Sequence, residues 1–158
     1  MNNLNENRFP DRKLNRHKEY DYSQNGSYFI TICTDSKKSV LSKIIEDDLN
    51  NCVYLSDIGK EVVNSLNYLN SYYDDLIIEE YVIMPNHIHL LLTINCDDKK
   101  ISVEKIIYQL KSFTTHKYGK KLWQRSYYDH IIRNEKDFLE KQKYIQDNPA
   151  KWRTDEYY

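Results

Sequence analysis

Aromatic and β-branched residues fill positions 27–34 (SYFITICT), just after an Asn25-Gly26 turn signal, so a strand is expected there. Residues 40–45 and 51–55 are shorter runs of the same kind and predict a hairpin. The spacing then lengthens. Ile58, Val62, Leu66 and Leu69 recur at helical intervals behind Ser56 or Asp57, either of which can cap a helix running to about Tyr73. Residues 76–84 and 87–94 (HIHLLLTI) return to strand character, and the short break at Pro85-Asn86 suggests an antiparallel pair. Val103, Ile106, Ile107, Leu110 and Phe113 mark one face of a second helix over 102–118, ended by Gly119. Residues 123–126 read as a loop and 127–133 as a last strand. Asn134 caps a third helix from Glu135 to about Asn148, which Pro149 is expected to stop.

Elements in this order favour an α+β fold. The expectation is a ferredoxin-like βαββαβ antiparallel sheet with helices on one face and an added C-terminal helix. Residues 1–20 read as a basic N-terminal arm, 21–152 as a single domain and 153–158 as a tail. A chain of 158 residues can bury a real core, and its three glycines and three prolines exclude a collagenous or linker-dominated one. No run approaches about 18 apolar residues, and the Asn-rich start has no apolar signal core. Cys33, Cys52 and Cys96 are too widely spaced for a zinc pattern or a disulfide framework and read as small core residues. A soluble cytoplasmic protein with no membrane partner is expected.

The net charge of −1 hides a strong asymmetry. Residues 46–80 hold nine acids and one base, whereas 101–133 hold seven bases and two acids. One acidic and one basic face follow, so a polyanionic partner is compatible with the near-neutral total. Arg12, Lys13 and Arg16 add to the basic side, as do Lys111, Lys117, Lys120, Lys121, Arg125 and Arg133.

His87-Ile88-His89 is the sharpest chemical feature. On a strand the two imidazoles share a face, starting about 7 Å apart, and Ile88 points the other way. That suits two nitrogens converging on one metal ion, although a third ligand must come from elsewhere. Tyr144 and Asn148 lie four residues apart on the last helix and so share its face. Asn148 offers an amide oxygen acceptable to Mg²⁺ or Mn²⁺, and Tyr144 a phenolic oxygen.

Residues 81–91 (YVIMPNHIHLL) resemble the HUH motif (His, bulky hydrophobic, His) of single-tyrosine transposases, and are most similar to the REP-associated tyrosine transposases. Residues 26–31 (GSYFIT), 123–134 (WQRSYYDHIIRN) and 144–149 (YIQDNP) resemble that family's first strand, its tryptophan-glutamine loop and following strand, and its tyrosine segment. The resemblance implies that His87 and His89 bind a divalent metal, that Asn148 stands at the third-ligand position, and that Tyr144 is the nucleophile. The implied reaction is nicking and strand transfer on single-stranded, hairpin-forming DNA through a 5′-phosphotyrosine link, the chemistry of DNA transposition. It makes Arg125 and Arg133 candidate DNA contacts and the protein a monomer or homodimer. Tyr127 and Tyr128 could stack on unpaired bases, or be one core and one rim aromatic. His130 reads as a structural or DNA-contact residue and Trp123 as a packing anchor. Two other readings stay open: a domesticated hairpin-binding protein that no longer cuts, and a metal-dependent phosphodiesterase that uses water.

Overall fold

The computed structural model describes residues 25–47, 50–97 and 100–154. The predicted N-terminal arm, with Arg12, Lys13 and Arg16, lies outside the described residues, as do residues 155–158 of the predicted tail. Six strands and three α-helices follow one another in chain order: β1 (Gly26–Cys33), β2 (Ser42–Asp47), β3 (Asn50–Leu55), α1 (Asp57–Tyr72), β4 (Leu76–Ile83), β5 (His87–Ile94), α2 (Val103–Tyr118), β6 (Tyr128–Ile131) and α3 (Glu135–Asp147). Four strands form one sheet in the order β4-β5-β1-β6, with every neighbouring pair antiparallel. With α1 between β1 and β4, and α2 between β5 and β6, this is the expected ferredoxin-like arrangement. Strands β2 and β3 pair as a separate hairpin.

Strand alternation gives the sheet two different faces. Tyr28, Ile30, Ile32, Ile88, Leu90, Leu92 and Ile94 point into the main core, where Val62, Leu66 and Leu69 of α1 and Ile106, Ile107 and Leu110 of α2 meet them. Phe29 and Leu91 point to the other side and pack against Ile145 of α3 in a smaller cluster bordered by Val82, Phe138 and Tyr144. A bulge between Ile78 and Glu80 sets Val82 opposite His89, and Gln146 of α3 donates to Glu80 at 3.1 Å. The third helix is therefore docked on its own face of the sheet.

Helix ends follow their capping residues. Ser56, rather than Asp57, caps α1, accepting from the Gly59 amide at 3.1 Å. Ser102 caps α2, Asn134 caps α3, and Gly119 closes α2 in the left-handed conformation at φ 75°. The α-helix stops before Pro149 as expected, with Asn148 as its C-cap. The chain tightens at Asn148 and continues as a 3₁₀ segment, Asn148–Thr154, whose early position tolerates a residue without an N–H. Phe113, expected in the core, is 37% exposed and Thr114 is buried in its place. Of the cysteines only Cys96 is buried; Cys33 is half-buried and Cys52 exposed.

Gly59 sits where α1 passes the chain at Leu41. A Cβ there would overlap the Leu41 carbonyl oxygen, a backbone atom already accepting from Ser56. Gly59→Ala is expected to destabilise the protein by about 3 kcal/mol through overpacking, despite its better helix propensity. Urea unfolding measures this, and a neutral or stabilising result would contradict the close approach.

Candidate active site

The start of β5 is where the predicted pair falls. His87 and His89 share the face turned toward α3, and Ile88 is buried in the main core. Both imidazoles are almost fully enclosed, at 0% and 1% exposure. Their Nε2 atoms lie 3.1 Å apart. At that separation the two lone pairs either share a proton or converge on an electrophile.

Each ring is oriented through its other nitrogen. The Asn86 amide oxygen is 2.8 Å from His87 Nδ1 and can only accept, so Nδ1 carries a proton. Thr31, directly opposite His89 on β1, places its hydroxyl 2.7 Å from His89 Nδ1. Phe29 stacks on His89 with ring centroids 5.3 Å apart. Burial pushes the His89 pKa down to about 2, with the charges of His87 and Lys141 adding to it, so His89 is a neutral imidazole at ordinary pH.

Helix α3 brings Tyr144 to the same place. The Tyr144 ring meets His89 edge-on with centroids 5.2 Å apart and Phe29 at 5.7 Å. Asn148 ends the helix at 2% exposure, and its amide oxygen is buried with no hydrogen-bond partner among the described residues. Buried carbonyl oxygens are normally satisfied, so an orphan at the end of the helix that sets Tyr144 against His89 is a candidate ligand for a cation. The donor set fits a divalent ion. Two nitrogens held about 2.1 Å from one ion at a right angle lie about 3.0 Å apart, close to the spacing seen. No group of three or more His, Cys, Asp or Glu side chains capable of holding a metal occurs among the described residues. The candidate donors are two imidazoles and an amide.

Not all the predicted DNA contacts gather around this centre. Arg125 and Arg133 are exposed, and Arg133 borders a cleft at the start of α3. Tyr128 is 45% exposed and pairs across from Thr31, on the histidine face. Tyr127 is 7% exposed and belongs to the main core, which removes its ring from any stacking surface. Lys117 and Lys120 accompany α2 across the sheet from the histidines, and Lys121 pairs with Asp35 at 2.6 Å. Lys111 is a loop clamp rather than a free cation: its ammonium donates to the carbonyls of Gln124, Arg125 and Ser126. Lys111→Ala is expected to cost about 1–3 kcal/mol of stability in denaturant titration, with the Trp123–Ser126 backbone loosened. A loss of nucleic-acid affinity at unchanged stability would restore it as a direct contact. Trp123 is the packing anchor expected, donating to Thr114 at 2.7 Å. His130 is structural, paired with Asp137 of α3 at 2.9 Å. Burial tends to raise the Asp137 carboxyl, but the His130 ring and the Arg133 amide hold it below its usual range.

Sequence reading missed Thr31, Asn86, Phe29 and Lys141, which orient, stack on or charge the histidines. Only the register of β1 against β5 identifies Thr31 and Phe29 as neighbours of His89. Lys141 lies three residues before Tyr144, so helical spacing could have found it.

No family model matches the chain. A Haemophilus influenzae protein named as a candidate REP-associated tyrosine transposase is 27% identical over 145 residues, covering 83% of this chain and 74% of that one. The REP-associated tyrosine transposase of Escherichia coli is 35% identical over 75 residues, 47% of this chain and 44% of that one. Among solved structures, a REP-associated tyrosine transposase bound to a REP hairpin superposes with a TM-score of 0.68 at 22% identity, over 87% of this chain and 74% of that one. A ferredoxin-like sheet bearing His-x-His, with a tyrosine helix docked over the pair, is the fold of the tyrosine transposase class. Within that class the chain is similar to the REP-associated tyrosine transposases, and these relatives support a DNA-processing enzyme. None of its described helices is long and apolar enough to cross a membrane.

Proposed function

We propose that the protein nicks and rejoins single-stranded, hairpin-forming DNA by transesterification, with Tyr144 as nucleophile and His87, His89 and Asn148 as ligands of Mg²⁺ or Mn²⁺. The observation that carries this reading is the buried pair of Nε2 atoms 3.1 Å apart with Tyr144 set against His89, and with it an orphaned amide oxygen at the end of the tyrosine helix.

The Tyr144 oxygen attacks the scissile phosphorus, and the bond from phosphorus to the 3′-oxygen breaks. The phenolic proton is lost and the departing oxygen gains one, giving a 3′-hydroxyl and a 5′-phosphotyrosine. Phosphodiester energy is conserved, so attack by a 3′-hydroxyl reverses the step and rejoins strands. A bound divalent cation would polarise the phosphate and offset the charge that builds during attack. The chain supplies the rest. Asn86 and Thr31 hold the two rings in place, and the Phe29 and Leu91 cluster fixes α3 over them. Lys141 contributes a positive charge close enough to depress His89, and that charge also favours an incoming phosphate and a phenolate. The named hairpin complex of the similar structure supports a hairpin substrate for this chain.

Adduct trapping tests the proposal. Hairpin oligonucleotides drawn from repeats flanking the gene, labelled at the 3′ end, should yield a label that migrates with denatured protein in Mn²⁺ or Mg²⁺ and not in chelator. Cleavage without an adduct would indicate a water-using nuclease, and tight hairpin binding with neither would indicate a binding protein.

A further inference from the structure

Beside the histidines the surface opens into a cleft of about 550 Å³. Such a volume lies in the range of small-ligand sites, roughly 300–1,000 Å³. The turn after β1, the β2 strand and the C-terminal 3₁₀ segment form its walls, through Lys37, Ser39, Lys43, Asn86 and Trp152 among others. Two of these residues touch the catalytic pair. Asn86 holds His87 Nδ1, and the Trp152 ring lies 6.0 Å from the His87 ring. The cleft therefore adjoins His87.

Its chemistry is an aromatic plane flanked by ammonium groups. Lys37 and Lys43 are both exposed at the rim. The turn that presents Lys37 is conformationally costly: Ser36 and Lys37 both take left-handed backbone angles, at φ 55° and 53°. It is held by Asp35, whose amide donates to the Leu122 carbonyl and whose carboxylate pairs with Lys121, and by Thr34, whose hydroxyl donates to the Lys38 carbonyl. Non-glycine residues kept in such a conformation by their surroundings concentrate at ligand clamps. An aromatic face and paired cations together suit a nucleotide: base on ring, phosphate on ammonium.

We infer that this cleft seats an unpaired nucleotide adjoining the scissile phosphate, its base stacked on Trp152 and its flanking phosphates on Lys37 and Lys43. The inference rests on the transesterase reading for the location of that phosphate, but the cleft's affinity for single strands is measurable without cleavage.

In a Tyr144→Phe background, a short oligothymidylate is titrated and tryptophan fluorescence followed. Trp123 is buried with its indole N–H on Thr114, so quenching reports Trp152. Trp152→Ala is expected to weaken binding, read by anisotropy of a labelled strand, by about 10- to 100-fold, with Trp152→Phe keeping most of the affinity. The Lys37→Ala/Lys43→Ala pair, confined to exposed side chains, should weaken binding and lower the salt slope by about one to two. It reads the cleft even if Trp152→Ala fails to fold. Absence of quenching on strand binding, or unchanged affinity in the lysine pair, would overturn the inference. An adduct formed equally well by wild type and Trp152→Ala protein would overturn the cleft and leave the transesterase standing. Trp152-dependent strand binding with no adduct would do the reverse.

Discussion

Replacing Tyr144 by phenylalanine is expected to abolish the protein–DNA adduct and reduce strand cleavage by about 10⁴-fold or more. The change removes one oxygen atom. The edge-on contacts of the ring with His89 and Phe29 survive it, so thermal unfolding should be nearly unchanged. A large activity loss at constant stability is the signature of a nucleophile, and gel migration of a 3′ label measures it directly. The rival tyrosines can be ranked by position. Tyr108 and Tyr118 belong to α2 on the far side of the sheet, and Tyr127 is in the main core. Of the four downstream rivals Tyr128 alone pairs across from Thr31 on the histidine face. Full cleavage in Tyr144→Phe with loss in Tyr128→Phe would transfer the role to β6.

The second large effect concerns the metal. Adding Mn²⁺ should raise the melting temperature of the wild-type protein, because an ion that binds only the folded state stabilises it by RT ln(1 + [L]/Kd), about 2.7 kcal/mol at a hundredfold excess over Kd. His87→Ala should lose that gain and lower cleavage by about 10³-fold or more. Asn148→Ala offers a sharper contrast. Its amide oxygen is buried without a partner, so removing it should cost the metal-free protein little and can even relieve a desolvation penalty. The same substitution should shrink the Mn²⁺-dependent rise. A variant that melts lower without metal yet shows a full Mn²⁺ gain would place Asn148 in the packing and outside the ligand set.

Much of this architecture was legible before the structure because its signals are local. The capping residues Ser102 and Asn134, the Gly119 stop and the strand limits of residues 87–94 need only neighbouring side chains. His87, His89, Tyr144 and Asn148 could be named from strand alternation, helical spacing and the motif resemblance, and the fold sets His87, His89 and Tyr144 against one another. What eluded the sequence depends on distant partners. Pro149 marks the end of α3, but nothing local shows that the chain beyond it is retained as a 3₁₀ segment packed toward the hairpin. Lys111 looked like one more base on a basic helix; its engagement depends on where residues 124–126 pass. Tyr127 and Tyr128 are chemically identical neighbours, and only the register against β1 sends one inward and the other out.

The unequal clusters on the two faces of the sheet bear on how the site holds together. More than a score of buried residues join α1 and α2 to the sheet, whereas Phe29, Leu91 and Ile145 are the buried residues that anchor α3. Local opening free energies scale with such burial, so the helix carrying Tyr144 forms a weaker cooperative unit than the platform carrying the histidines. The reacting groups thus span a boundary between two foldons. An ion shared by His87, His89 and Asn148 would rivet one to the other, making assembly of the nucleophile on its ligands part of the binding equilibrium.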